Sequence, residues 1–118
     1  MPIDAVRRII KQDQIIGNSN ALSEEAIDSV KNGVDYLAVG AIFPTNTKQN
    51  TRPAGLETLK RVRSISALPL VAIGGINSGN IKSVIEAGAD AVCVVSAVIA
   101  QDDPESAARS LVKEFSFK

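Results

Sequence analysis

The chain has 118 residues, thirteen basic and thirteen acidic side chains, one cysteine and no histidine. Its length predicts one domain, and its balanced charge and 3% aromatic content give no sign of a nucleic-acid surface. The composition excludes an internal disulfide, a multi-cysteine metal site and chemistry that depends on imidazole. Because no apolar stretch reaches the roughly 20 residues of a membrane span, and the first residues lack a signal-peptide core, we expect a soluble cytoplasmic protein.

Helical and strand patterns of apolar residues alternate along the chain. In chain order, the predicted elements are a helix at Ile3–Lys11, a strand at Gln14–Gly17, a helix at Ser23–Asn32, a strand at Val34–Val39, a helix at Leu56–Ser64, a strand at Leu70–Ile73, a helix at Gly79–Ala87, a strand at Ala91–Val95 and a helix at Pro104–Phe115.

Polar residues and glycines mark the expected helix ends. Ser23 is predicted to cap the second helix, and Asp103 is predicted to cap the last helix because a proline follows it. Gly33 and Gly88 fall where helices end in a left-handed residue. These residues therefore support the predicted boundaries between helices and the strands that follow them.

The fold class follows from this alternation. The last three strands are nearly continuous apolar runs, which are typical of a parallel sheet covered by helices. The segments "NGVDYLAVGAIF" and "AGADAVCVVSAVI" repeat one pattern of helix end, glycine, aspartate and strand, as in a (β/α)8 barrel. Four strands close no such barrel, so we expect residues 1–118 to form one partial (β/α)8-barrel domain whose inner face is open. Cys93, within the last strand, is predicted to be a core residue.

Ligands of α/β folds bind beyond the carboxyl ends of the strands. The four segments predicted there are "GNSNALS", "GAIFPTNTK", "GGINSGN" and "SAVIAQ". Their glycines, hydroxyls, amides and single lysine suit a phosphate group, and they contain no carboxylate for acid–base chemistry.

Each candidate residue also has a structural interpretation. Gly74 and Gly75 allow a close backbone approach to an anion, or form a tight turn without a ligand. Ser96 caps a helix, or joins the glycines in a phosphate site.

The long loop between the second strand and the third helix holds Thr45, Thr47 and Lys48. These residues bind a ligand, or they belong to an ordinary solvated loop; Arg52 on the same loop fits either interpretation. The aspartates Asp35 and Asp90 stand at the opposite ends of their strands and are expected to be structural.

The motifs together resemble the thiamine-phosphate synthase family. The resemblance rests on "VDYLAVGAIFPTNTK", "GLETLKRV", "LPLVAIGGIN", "AGADAVCVVSAV" and "DDPESAARSLV", with "IIGNS" near the start, and so runs over nearly the whole chain. Its most specific part is the Phe-Pro-Thr-x-Thr-Lys loop with its spacing to the two glycines. It implies a transferase built as a TIM (β/α)8 barrel, of which this chain is the C-terminal half.

The resemblance implies a reaction between hydroxymethylpyrimidine diphosphate and thiazole phosphate that yields thiamine phosphate and pyrophosphate. It implies catalytic roles for Lys48 and Ser19, which contact the departing pyrophosphate. The implied thiazole-phosphate ligands are the side chains and backbone amides of Thr45, Thr47, Gly74, Gly75, Val95 and Ser96. Mg²⁺ is expected for the full-length family, but its aspartates and the Gln-x-Arg-x-Lys motif belong to the front half and are expected to be absent here.

Two hypotheses of different classes remain open. The first is a half enzyme, active with a separate N-terminal half. The second is a non-catalytic phosphate-binding half-barrel, for which a homo-oligomer would cover the open face. The related thiazole tautomerase relies on a histidine that this sequence lacks.

Overall fold

The computed structural model describes residues 2–43 and 55–115, which form one parallel sheet with helices packed against one of its faces. The elements in chain order are α1 (Ile3–Ile9), β1 (Gly17–Asn20), α2 (Ser23–Lys31), β2 (Tyr36–Val39), α3 (Gly55–Ile65), β3 (Leu70–Ile73), α4 (Ile81–Glu86), β4 (Ala91–Cys93), α5 (Ser96–Ile99) and α6 (Pro104–Glu114). In this part of the chain, no helix is long and apolar enough to cross a membrane.

The sheet has the strand order β1-β2-β3-β4, and every neighbouring pair is parallel. Each crossover between neighbouring strands contains a helix, as parallel pairing requires. Sequential parallel strands with helices on one side are the repeating unit of a (β/α)8 barrel. The predicted half-barrel architecture is therefore confirmed.

The core lies between the sheet and the helices. Side chains that point to the helices are buried almost completely: Leu37 and Val39 of β2 and Leu70 and Ala72 of β3 are each at most 1% exposed. Leu59 of α3 belongs to the same buried cluster. Alternate strand residues point to the other face, because successive side chains of a strand alternate.

That second face is open in the described part of the chain. Ile73 is 42% exposed, and Val95, two residues beyond β4, is 69% exposed. Cys93 lies on the same face and is exposed, so its predicted place in the core is wrong. The apolar run that contains it is typical of a strand buried on both sides, and here helices cover one side.

Several predicted boundaries differ from the observed ones. The first strand was predicted at Gln14–Gly17 and is found at Gly17–Asn20. Polar residues fill this strand because the Asn18 and Asn20 side chains find partners: both contact the Ser29 hydroxyl, at 2.8 and 2.9 Å. β2 begins at Tyr36 rather than Val34, and β4 ends at Cys93 rather than Val95.

The predicted helix ends agree with the structure at three of four positions. The Asp103 side chain accepts a hydrogen bond from the Ser106 N–H at 3.2 Å, and Gly33 and Gly88 have positive φ angles of 82° and 116°. Ser23 is the first residue of α2 rather than its cap. The Glu25 carboxylate instead accepts hydrogen bonds from the N–H groups of residues 21 and 22, and so satisfies this helix start.

Equivalent ion pairs at the amino ends of β2 and β4 confirm the structural roles predicted for two aspartates. The Asp35 carboxylate accepts hydrogen bonds from the Ile16 N–H at 2.6 Å and from Arg7 Nη2 at 2.9 Å. The Ile16 N–H and the Arg7 guanidinium hold the pKa of Asp35 below its ordinary value.

The second pair repeats this arrangement. The Asp90 carboxylate accepts hydrogen bonds from the Leu70 N–H at 3.0 Å and from Arg63 Nη1 at 2.8 Å. In each pair the arginine also donates to the carbonyl of the glycine that ends the preceding helix, Gly33 for Arg7 and Gly88 for Arg63. The two segments that repeat in the sequence therefore also repeat in structure: in each, an arginine binds the aspartate and the glycine carbonyl.

Candidate functional site

The carboxyl ends of the four strands lie along one edge of the sheet, and the described candidate residues meet there. Ser19 belongs to the end of β1, Gly74 and Gly75 follow β3, and Val95 and Ser96 follow β4. β3 and β4 are neighbours with Ile73 paired to Cys93. Because the chain continues past this pair on both strands, the glycines and the Val95–Ser96 segment emerge side by side.

A tight turn after β3 brings its backbone against the segment that follows β2. Gly74 and Gly75 have φ angles of 110° and 67°, in the region that favours glycine. A Cβ atom on Gly74 would lie 2.7 Å from the Ala41 Cα atom, and one on Gly75 would lie 2.9 Å from the Phe43 Cβ atom. Both positions therefore need glycine for space as well as for conformation.

Backbone hydrogen bonds continue the pairing of β2 and β3 beyond the strands themselves. The Ile42 N–H donates to the Ile73 carbonyl at 2.9 Å, and the Phe43 N–H donates to the Gly74 carbonyl at 3.1 Å. Phe43 is the last described residue before the gap at 44–54. The loop that starts there thus begins directly beside the glycine turn.

The other side of the turn is held by two asparagines before α4. The Asn80 side chain donates from Nδ2 to the Gly75 carbonyl at 2.9 Å and accepts the Asn77 N–H on Oδ1 at 2.9 Å. Asn77 Oδ1 accepts the Gly79 N–H at 2.8 Å. These bonds keep residues 77–80 in a turn, so α4 begins at Ile81 and not at the predicted Gly79.

The segment after β4 turns at once into the short helix α5. Val95 is its N-cap residue and Ser96 its first residue, so the interpretation of Ser96 as a helix cap is wrong. Both residues are exposed at the edge of the sheet. Their backbone N–H groups belong to the first turn of a helix, where an N–H has no partner within the helix.

Ser19 lies at the far side of this edge, on the open face of β1, where it is exposed. Its neighbours Asn18 and Asn20 point the opposite way, into the layer between β1 and α2. Asn20 is 1% exposed, and its Nδ2 donates to the Ala38 carbonyl of β2 at 3.2 Å. A buried polar network therefore fixes the strand that presents Ser19.

Thr45, Thr47 and Lys48, and Arg52 with them, fall within residues 44–54 and lie outside the described residues. The described ranges 2–43 and 55–115 also contain no group of three or more histidine, cysteine, aspartate or glutamate side chains that could hold a metal ion. Asp35 and Asp90 are at the amino ends of their strands, bound to arginines.

Sequence reasoning missed two residues of this edge, Asn80 and Asn20. Asn80 lies in a polar segment before a helix, where an asparagine is a turn signal, but its contact with Gly75 is visible only in the structure. Asn20 carried no such signal, because its burial depends on the contact with Ser29 from α2.

Comparisons of sequence and of structure identify the family that this chain resembles. The family model described as thiamine monophosphate synthase matches residues 1–98. The chain is similar to the thiamine-phosphate synthase of Clostridium tetani, with 39% identity over 115 residues, which is 98% of this chain and 55% of that protein. It is 46% identical over 112 residues to the thiamine-phosphate synthase of Chloroflexus aurantiacus, covering 94% of this chain and 51% of that protein.

A solved structure of a similarly named protein also superposes on this chain. The thiamine phosphate pyrophosphorylase of Pyrococcus furiosus superposes with a TM-score of 0.88 and 38% identity, over 99% of this chain and 55% of that one. The chain therefore spans about half the length of the curated relatives it matches.

Proposed function

We propose, since this chain belongs to the thiamine monophosphate synthase family, that it supplies the phosphate-binding part of an active site. The expected reaction joins hydroxymethylpyrimidine diphosphate to thiazole phosphate and gives thiamine phosphate and pyrophosphate. The observation that carries the proposal is the meeting of the Gly74–Gly75 turn with the Val95–Ser96 segment at neighbouring strand ends. Backbone N–H groups in such turns form concave binding sites for anions.

The thiazole phosphate is assigned to the β3–β4 side of the edge. Gly75, Val95 and Ser96 offer backbone N–H groups there, and the exposure of the last two leaves them accessible. Phe43, whose N–H donates to the Gly74 carbonyl, immediately precedes in sequence the segment that carries Thr45 and Thr47. We propose that these threonines complete the phosphate site.

The pyrophosphate is assigned to the β1 side, with Ser19 and Lys48 as its contacts. Between two and three strand spacings of about 4.8 Å separate β1 from the β3–β4 position, so the two anion positions would lie about 12 Å apart. That distance leaves room for the pyrimidine and thiazole rings between them.

The chemistry asked of these residues is charge stabilisation. The C–O bond to the diphosphate breaks with its electron pair leaving on oxygen, and a pyrimidine methylene cation is left behind. The thiazole nitrogen then donates its lone pair to that carbon. The Lys48 ammonium and the Ser19 hydroxyl stabilise the leaving pyrophosphate, so the cleavage of the C–O bond needs no side-chain base.

Mg²⁺ is expected for the whole enzyme, where it would neutralise diphosphate charge. Asp35 and Asp90 do not fit it, because they lie at the opposite end of the sheet and are bound to arginines. The roles proposed for the residues of this chain therefore do not involve the ion.

The open sheet face exposes apolar side chains that a partner would cover. We propose that the remaining half of the family barrel covers it, and that the assembled enzyme acts in the cytoplasm on small phosphorylated substrates. A homo-oligomer of this chain is the alternative cover, and a non-catalytic phosphate-binding module is the corresponding alternative function. The exposed Ile73, Cys93 and Val95 on that face favour some cover in either case.

Thiamine phosphate formation tests the proposal. The purified chain is assayed with both substrates and Mg²⁺, alone and together with a polypeptide that supplies the other half-barrel. We expect product in the second case, and light scattering to report a mixed complex. Binding of thiazole phosphate without product in either assay would support the non-catalytic module, and product from the chain alone would support a homo-oligomeric enzyme.

Lys48→Ala tests the assignment of residues in the reconstituted enzyme. We expect turnover to fall at least tenfold, which is about 1.4 kcal/mol of barrier. Lys60→Ala, at an exposed position on α3, is the matched control and should leave turnover unchanged. Equal turnover of the two variants would contradict the role of Lys48.

A further inference from the structure

The Asn80 side chain does not cap the helix that it precedes. Asn80 is the N-cap residue of α4, yet its side chain makes no cap hydrogen bond to that helix. An asparagine at this position normally accepts an N–H of the first helical turn. Here its two polar atoms are directed back into the Gly74–Gly75 turn and the residues that follow it.

The contact with Gly75 fixes the orientation of one peptide group. Asn80 Nδ2 donates to the Gly75 carbonyl oxygen at 2.9 Å. The bond between Gly75 and Ile76 is trans, since the described chain has its cis peptide elsewhere. In a trans peptide the carbonyl and the following N–H point in opposite directions. With the Gly75 carbonyl held toward α4, the Ile76 N–H points away from α4.

A second contact holds the other side of the turn. The Phe43 N–H donates to the Gly74 carbonyl at 3.1 Å, and the buried Ile76 side chain, 4% exposed, anchors the end of the turn in the core. The turn is therefore held at Gly74 by Phe43 and at Ile76 by the core. The Asn80 side chain in addition fixes the direction of the Gly75 carbonyl.

We propose that Asn80 is a positioning residue that orients the Gly75–Ile76 peptide to donate its N–H to the substrate phosphate. This inference rests on the proposed function, because it presumes that the glycine turn binds thiazole phosphate. Asn80 itself touches no reacting atom in this scheme.

Two isosteric substitutions separate the hydrogen bond from the effect of charge. Asn80→Asp keeps the oxygen that accepts the Asn77 N–H and removes the donor to Gly75. Asn77→Asp keeps the oxygen that accepts the Gly79 N–H and adds the same charge three residues away. Both acids weaken phosphate binding by repulsion, and the excess loss in Asn80→Asp measures the loss of the donor together with the repulsion between the new carboxylate and the Gly75 carbonyl oxygen.

The first readout is affinity for thiazole phosphate, measured by calorimetry on the full chain with inorganic phosphate as a second probe. We expect Asn80→Asp to bind at least tenfold more weakly than Asn77→Asp, which corresponds to about 1.4 kcal/mol. Equal affinities of the two variants would overturn the inference. Asn80→Ser, whose shorter side chain cannot reach the Gly75 carbonyl, replaces Asn80→Asp if that variant does not fold, and Asn77→Ser is then its control.

The second readout needs no ligand. The Gly75 carbonyl ¹³C shift reports the hydrogen bond from Asn80, and we expect it to change in Asn80→Asp and to stay constant in Asn77→Asp. An unchanged shift in both variants would overturn the inference even if binding falls. If the wild-type chain does not bind thiazole phosphate, the proposed function fails, whereas the carbonyl shift still decides whether Asn80 holds the turn.

Discussion

Gly74→Ala is expected to destabilise the chain far more than the same substitution at Gly33. Both glycines have positive φ angles, 110° at Gly74 and 82° at Gly33. A Cβ atom at Gly33 would have no heavy atom within 4 Å, whereas one at Gly74 would lie 2.7 Å from both the Cα and Cβ atoms of Ala41 and 3.0 Å from the Ile42 nitrogen. Comparing the two substitutions therefore separates the loss of stability caused by the backbone conformation from the loss caused by steric clash.

The magnitudes follow from those two costs. Placing alanine in the left-handed region costs about 1–2 kcal/mol, and this is the whole expected effect at Gly33. At Gly74 the same cost is joined by overpacking against backbone atoms, which typically adds about 1–3 kcal/mol. The expected loss at Gly74 is therefore about 2–5 kcal/mol, and the Ala41 segment beside the turn must shift.

Urea denaturation followed by circular dichroism measures the difference. With a slope of about 1–3 kcal/mol per molar urea, 2 kcal/mol separates the two midpoints by roughly 1 M. Equal midpoints would refute the close approach of the glycine turn to Ala41, and with it the geometry proposed for the phosphate site. Gly33→Ala should leave thiazole-phosphate affinity unchanged, because it lies at the opposite end of the sheet.

Three further predictions concern other parts of the chain. Because the pKa of Asp35 is lowered in the folded state, its stabilising contribution is present above the unfolded pKa of about 4 and is lost as the pH falls through the lower folded pKa. The stability difference between wild type and Asp35→Asn should therefore shrink on acidification, and a difference that stays constant with pH would contradict this; Asp102→Asn, at an exposed aspartate, is the control. Ser29→Ala should cost about 1–3 kcal/mol in thermal unfolding, because it leaves the buried Asn20 amide oxygen without its partner; exposed Ser64→Ala should cost less than about 0.5 kcal/mol, and equal losses would refute the network. Alkylation of Cys93 should be fast in the isolated chain and slow in the assembled barrel; equal rates would argue that the partner does not cover the open face.

Much of the fold could be predicted from the sequence, because local chemistry decides it. The Leu70–Ile73 strand and the start of α6 at Pro104 were predicted as observed, since a continuous apolar run and an Asp-Pro pair are local signals. Gly33 and Gly88 ended helices as expected, because only glycine adopts their φ angles without strain. The order of motifs along the chain likewise indicated the family.

Contacts between distant segments decided the rest. β1 was misplaced because Asn18 and Asn20 are poor strand residues until Ser29 of α2 satisfies their amides. Cys93 was assigned to the core because an apolar run does not reveal which face of a strand is covered. The role of Asn80 depends on a carbonyl five residues earlier in a turn that Phe43 also holds. Such features need the tertiary structure, because the role of a polar side chain depends on the group with which it forms a hydrogen bond.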